Sequence, residues 1–245
     1  MYLNPRLRAG VVVEGYSEGE DPNFVSQVEG RERTFAKSLK MIEKYKPGKG
    51  RILDIGTAAG SFLAVAQRAG WEVAGCEPNR WMCEWGGEHY GLDIVPGTIF
   101  DMELEDASFD VVTLWDVLEH TPDPTKVLEE CKRVLKPGGL LLTNVPDMDA
   151  LVTKLMGRNY VFLLSIHLYY FTPKTLGAML EKTGFQMFKH RPHWQTLELG
   201  YIFFRAEAYV GGLARLGGKI AKALHIDHLQ IPYTMGQTLV LAEKK

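Results

Sequence analysis

The stretch Ile52-Leu53-Asp54-Ile55-Gly56-Thr57-Ala58-Ala59-Gly60-Ser61-Phe62-Leu63 constrains this chain most, because it reads as a strand, a tight turn and a helix start. Ile52, Leu53 and Ile55 make a short apolar strand. Every residue from Gly56 to Gly60 is small, so the backbone can turn sharply and admit a ligand close to it. Phe62, Leu63, Val65 and Ala66 then open a helix whose first N–H groups face the turn. Asp54 sits just inside the strand end.

A second strand, Trp71–Cys76, runs into Glu77-Pro78-Asn79. In a doubly wound sheet, an acid about 20 positions beyond the glycine turn accepts hydrogen bonds from ribose hydroxyls. Glu77 has that spacing, and a dinucleotide would use the same acid. The turn itself discriminates. A pyrophosphate binder uses Gly-x-Gly-x-x-Gly with N–H donors aimed at phosphate. Here Ala58 replaces the middle glycine and the Asp54 carboxylate lies close, which suits a cationic or zwitterionic ligand. Taken singly, Asp54 also reads as a cap of its own turn and Glu77 as an exposed strand-end acid.

Helix and strand patterns alternate onward through 61–69, 80–90, 93–95, 110–114, 124–134 and 140–144, which implies an α/β fold, a mainly parallel sheet covered on both faces. Residues 1–30 are polar and turn-rich and read as an arm before a domain spanning 31–245. Phe35, Leu39 and Ile42 recur at helical spacing and predict a helix over 31–45. After Pro146 comes an irregular connection, 147–170, rich in Leu, Met and aromatics. Thr172-Pro173 has the signature of a helix start, with a strand from Phe185. Residues 200–225 keep approximate helical spacing, but Gly211-Gly212 and Gly217-Gly218 predict two pieces within a 193–235 insertion. A last strand covers 237–242.

With 28 basic and 30 acidic residues in 245, the formal charge of −2 gives no global field for nucleic acid. The three cysteines, Cys76, Cys83 and Cys131, form neither a CxxC pair nor a metal spacing, and read as core thiols of a reducing compartment. No run approaches the ~18 apolar residues of a membrane span, and the first residues lack a signal-peptide core. A cytoplasmic protein is the expectation.

The chain resembles the class I S-adenosylmethionine (SAM)-dependent methyltransferases. Asp54-x-Gly56-x-x-x-Gly60 resembles the family's glycine motif and Glu77 its ribose acid. Phe109 to His120 is similar to the fourth strand with its exit loop, and Val134-Leu135-Lys136-Pro137-Gly138-Gly139-Leu140 to the turn into the fifth. Leu118-Glu119-His120, Asp123-Pro124 and His167-Leu168-Tyr169-Tyr170-Phe171 resemble a subgroup that includes ubiquinone-pathway O-methyltransferases. The likeness covers about Gly50 to Phe188 and extends to the last strand. Thr57-Ala58 stands where relatives usually carry Cys-Gly, and both replacements are small. The resemblance implies a Rossmann-like seven-stranded sheet with an antiparallel last strand, SAM as cofactor and S-adenosylhomocysteine (SAH) as product.

It also implies a site. Asp54, Gly56, Thr57, Ala58, Gly60 and Phe62 form the methionine and turn side. Glu77, Pro78 and Asn79 take the ribose and adenine, flanked by Thr98 and Ile99, with Trp115 and Asp116 below the sulfonium. An O-methyl acceptor needs a base, and His120 on the loop leaving the fourth strand leads; the competing reading makes it a structural hydrogen-bonding group. His167 is the second candidate, either in the acceptor pocket or anchoring 147–170. Glu119, His120 and His167 would need to form a tight cluster to hold a metal, and sequence separation does not establish one, so no metal is assigned. The acceptor is expected to be a small molecule, recognised by the arm, 147–170 and 193–235, where Tyr160, Phe162, Tyr169, Tyr170, His193 and Trp194 offer pocket walls. Arg205, Arg215, Lys219 and Lys222 beside the apolar residues of 201–224 suit a lid, a homodimer contact or a peripheral membrane contact. Competing functions are an N- or C-methyltransferase, a non-catalytic SAM-binding subunit and a nicotinamide dehydrogenase.

Overall fold

Apolar residues alternate along the central strands, so each strand feeds two cores at once. In the computed structural model, which describes Val11, residues 14, 15 and 17, and residues 19–245, this alternation organises the whole domain. Strands β1 (Arg51–Ile55), β2 (Glu72–Glu77), β3 (Ile94–Pro96), β4 (Phe109–Trp115), β5 (Leu135–Pro146), β6 (Phe185–Pro192) and β9 (Gln237–Lys244) form one sheet in the order β3-β2-β1-β4-β5-β9-β6. β1 to β5 pair in parallel, and β9 runs antiparallel to both β5 and β6. The seven strands and the antiparallel last strand are as the family resemblance implies.

On one face, Ile52, Val111, Leu140, Leu142, Leu239 and Leu241 pack against Leu39 and Ile42 of α2 (Val28–Tyr45) and Phe62 and Ala66 of α3 (Ser61–Arg68). On the other, Leu53, Val112, Leu114, Leu141 and Val240 meet Leu128 and Cys131 of α5 (Pro124–Val134) and Leu176 and Leu180 of α7 (Pro173–Lys182). Helix α4 (Arg80–Tyr90) follows β2. All three cysteines are buried and unpaired.

Three features depart from the sequence expectation. First, the arm expected over 1–30 lies partly outside the described residues, and its described end is helical: a one-turn α1 (Pro22–Val25), then α2 from Val28 instead of 31. Gly30, the last residue of the stretch read as turn-rich, is a close-approach glycine, since a Cβ there would stand 2.4 Å from the Thr196 carbonyl oxygen. The Thr196 amide donates to Thr34 Oγ1 at 2.8 Å, which holds the early start. Second, a two-stranded sheet, β7 (Gln195–Glu198) with β8 (Gln230–Tyr233), brackets the insertion. Third, residues 147–170 contain a short helix, α6 (Leu151–Met156). The insertion itself holds two helices as expected, α8 (Leu199–Val210) and α9 (Gly212–Ala223), broken at Gly211 with φ +48°. Among the described residues no helix is long and apolar enough to cross a membrane.

Candidate functional site

The strand order reverses between β1 and β4, and ligands of open α/β sheets bind beyond the strand C-termini at such a point. Ile55 pairs with Leu114 and Cys76, and Glu77 with Pro96, so the four strand ends lie side by side. The glycine turn abuts the β4 exit loop closely: a Cβ on Gly56 would come within 2.7 Å of Val117 Cγ2. Gly56 (φ +65°), Ala58 (φ +49°) and Gly60 (φ +80°) all adopt left-handed backbone, which a glycine tolerates and an alanine adopts at a cost. The Gly56 and Thr57 amides both donate to the Cys76 carbonyl, at 2.9 and 3.1 Å, and pin the turn to β2.

Glu77 closes this arrangement. Its Oε2 accepts the Ala58 amide and its Oε1 the Asn79 amide, each at 2.9 Å. Burial pushes its pKa up, while the two amides pull the other way. Each oxygen keeps a lone pair that can accept a further hydrogen bond. Asn79 caps α4 through Met82 N and donates to the Gly19 carbonyl at 3.0 Å, which brings the chain before α1 over this side. Pro78 lies between these two anchors.

Asp54 is 1% exposed, and Thr113 Oγ1 donates to its Oδ1 at 2.5 Å. Burial raises its pKa to about 7. Asp116 takes a left-handed φ of +55° and accepts from Asn144 Nδ2 at 2.6 Å and from Gln237 Nε2. Burial raises its pKa too, opposed by these hydrogen bonds and by the Arg31 guanidinium. Arg31, Asn144 and Gln237 carry no sequence signal of their own; they sit on α2, β5 and β9 and meet only through the sheet. The Trp115 indole packs against Phe35, Phe62 and His193 at 5.1, 5.2 and 5.9 Å, and its buried Nε1 has no hydrogen-bond partner.

The side chains of Phe62 and Ile99 are each 1% exposed and belong to the cores of opposite faces. Their backbone, rather than their side chains, is what these positions offer a ligand. Thr98 is committed to a capping box, with its amide and hydroxyl both on Asp101 Oδ2 at 2.7 Å.

Beyond Asp116 the histidines come together. The rings of His120 and His167 stand 4.5 Å apart at 83°. His120 Nδ1 lies 3.2 Å from the Ile166 carbonyl oxygen, which can only accept, so the proton is on Nδ1 and the lone pair on Nε2. Burial, with His167 adding, lowers the His120 pKa to about 3, and burial lowers that of His167 to about 4. A solvated imidazole titrates at about 6.5, and desolvation disfavours its charged form. The amides of Leu168 and Tyr169 donate to the Glu119 carbonyl at 2.8 and 3.2 Å and strap 147–170 onto the β4 loop. Glu119, His120 and His167 each offer a ligand atom, all within 4.8 Å of one another. The Glu119 carboxyl is buried with neither oxygen hydrogen-bonded, and burial together with Asp116 raises its pKa well above the usual range. The tight cluster that sequence separation left unestablished therefore exists.

Residues 28–190 match the methyltransferase domain family. The chain belongs to that family. Among its relatives, the ubiquinone biosynthesis O-methyltransferase of Xanthomonas axonopodis pv. citri (strain 306) is 30% identical over 159 residues, 59% of this chain and 66% of the relative. The chain thus spans just under two thirds of that methyltransferase's length. A SAM-dependent methyltransferase from Archaeoglobus fulgidus has the same fold, with a TM-score of 0.61 at 20% identity, covering 91% of this chain and all of the other. Haemonchus contortus phosphoethanolamine N-methyltransferase 2, solved with phosphomonomethylethanolamine and SAH, gives a TM-score of 0.56 at 20% identity, covering 89% of this chain and 56% of the other. Membership of the methyltransferase family sets the dehydrogenase reading aside, in line with the missing middle glycine.

Proposed function

We propose that this chain transfers the methyl group of SAM to a hydroxyl of a small-molecule acceptor. The observation that carries the reading is Glu77, held by the Ala58 and Asn79 amides at the end of β2, beside the Asp54–Gly60 turn. SAM supplies a methyl already activated on a sulfonium, and transfer moves the C–S bonding pair to sulfur, leaving SAH. Glu77 grips the ribose, and the turn backbone with Asp54 and Thr57 holds the methionine portion. Asp116 and Trp115 lie toward the sulfonium, where their fixed dipoles replace water.

As the acceptor oxygen bonds to carbon it becomes strongly acidic, and its proton passes to His120 Nε2. A base weakened by burial suffices for this late transfer, and His120 is in its basic form at any pH well above about 3. His167 keeps the ring of His120 in place. O-methylation is also the activity named for the Xanthomonas relative. The buried cysteines fit a reducing cytoplasm.

A second reading rests on the cluster at Glu119. A divalent cation held by Glu119, His120 and His167 would ionise the buried carboxyl and supply a Lewis acid for the acceptor hydroxyl. Incubation with methyl-labelled SAM and panels of phenols, alcohols and amines, with and without Mg²⁺ after chelation, tests both. Labelled ethers support the proposal. Labelled amines alone assign N-methylation, and SAH binding without turnover of any class assigns a non-catalytic subunit. Activity lost on chelation and restored by Mg²⁺ assigns the cation.

A further inference from the structure

Helix α9 packs small residues inward and turns its large apolar residues out. A Cβ on Gly217 would meet the Phe203 ring at 2.4 Å, and Ala214 and Ala221 are buried. Gly217 and Gly218, which weaken the helix as a sequence, thus lie on its packing face against Phe203. The opposite consequence falls on Leu213, Leu216, Ile220 and Leu224. Their i, i+3, i+7 and i+11 spacing makes one row, and they are 50–77% exposed. A monomeric globular protein rarely exposes such a continuous apolar row without a partner.

The α8–α9 hairpin also reaches the connection beside the site. The Tyr209 hydroxyl reaches the Val161 carbonyl at 3.5 Å, joining the hairpin to the 161–166 stretch, where Leu163, Leu164 and Ile166 are also exposed. The carbonyl of Ile166 is the one that faces His120 Nδ1. Charge names the partner. Arg215, Lys219 and Lys222 lie on α9, and Lys154 and Arg158 in 150–166, with no Asp or Glu in 208–226 or 150–166. Arg215 pairs with Glu207 at 3.5 Å and Lys154 with Asp149 at 3.3 Å, while Arg158, Lys219 and Lys222 have no ion-pair partner among the described residues, so cations outnumber carboxylates around the apolar face.

From this we infer that α9 and the 161–166 stretch form an interfacial surface that docks on an anionic lipid bilayer. The leucine and isoleucine row enters the boundary between headgroups and acyl chains, while the Arg and Lys side chains extend beside it to lipid phosphates. A second copy of the chain would bring the same cations face to face, which disfavours self-association through this surface.

Flotation of the full chain with phosphatidylcholine vesicles, against vesicles of equal parts phosphatidylcholine and phosphatidylglycerol, tests this without reference to methyl transfer. The expected result is binding about tenfold or more tighter to the anionic vesicles, weakening as salt is raised. Leu213→Asp with Leu216→Asp should lower binding by about tenfold or more, and Lys219→Glu with Lys222→Glu should remove the preference for anionic lipid. These side chains are exposed, so the melting temperature should hold and shows that the variants are folded. Wild-type chain that stays with the unbound fraction, or that binds both vesicles equally, overturns the inference. So does a dimer, seen by sedimentation, that the Leu213/Leu216 variant dissolves while flotation is absent.

Discussion

His120 and His167 stand ring to ring at 4.5 Å, although one leaves β4 and the other ends an irregular connection. Burial, with the His167 contact adding, lowers the basicity of His120, and the two residues have separable roles. His120→Ala should reduce turnover of a hydroxyl acceptor by ~10²–10⁴ with SAH affinity unchanged, whereas His167→Ala should cost less. With an acceptor whose own pKa is high, no limb of the kcat/KM profile between about pH 8 and about pH 5 should depend on His120, because its ring is already unprotonated there. A steady-state pH profile showing an ascending limb near 6.5 that His120→Ala abolishes would contradict the buried, weakened base.

Glu77 is oriented by backbone amides at 2.9 Å on both oxygens. Glu77→Ala should remove charge-assisted hydrogen bonds to the ribose and weaken SAH binding by about 1.5–3 kcal/mol. Calorimetry reads this directly. An unchanged affinity would place the ribose elsewhere.

The glycines of the turn carry a stability prediction that differs from a simple ligand clash. A Cβ at Gly60 would stand 2.6 Å from Leu92 Cδ1, and one at Gly56 2.7 Å from Val117 Cγ2, both at positive φ. Even Gly60→Ala should therefore cost about 2 kcal/mol or more, roughly 5 °C in melting temperature. Loss of SAH binding at full thermal stability would show that the ligand, not Leu92, occupies that space.

Asp54 couples the site to pH. Its folded pKa of about 7 lies above its ordinary 3.8, so the folded chain holds that proton more tightly. The stability this provides is present in full at low pH and is lost as pH rises through about 7, by up to roughly 4 kcal/mol. Asp54→Asn lacks this dependence. Without cofactor, its melting temperature should gain on wild type between about pH 5 and about pH 8, and thermal melts at both values check it. A constant difference would mean that Asp54 is not desolvated.

The local chemistry of the chain was legible from its sequence. Short apolar strands, the Gly56–Gly60 turn, the Thr172-Pro173 helix start and the acid at the end of β2 are each set within a few residues, by backbone sterics and hydrogen bonding that act at short range. The break between α8 and α9 was legible for the same reason. What only the tertiary structure decided are the meetings across the sheet. Arg31, Asn144 and Gln237 converge on Asp116 because β9 inserts beside β5 and α2 crosses their face. Gly30 became a contact instead of a turn because β7 folds back onto α2. Glu119, His120 and His167 became a cluster because the Leu168 and Tyr169 amides bind the Glu119 carbonyl. Burial then set their protonation, since desolvation depends on everything packed around a group and not on its neighbours in the chain.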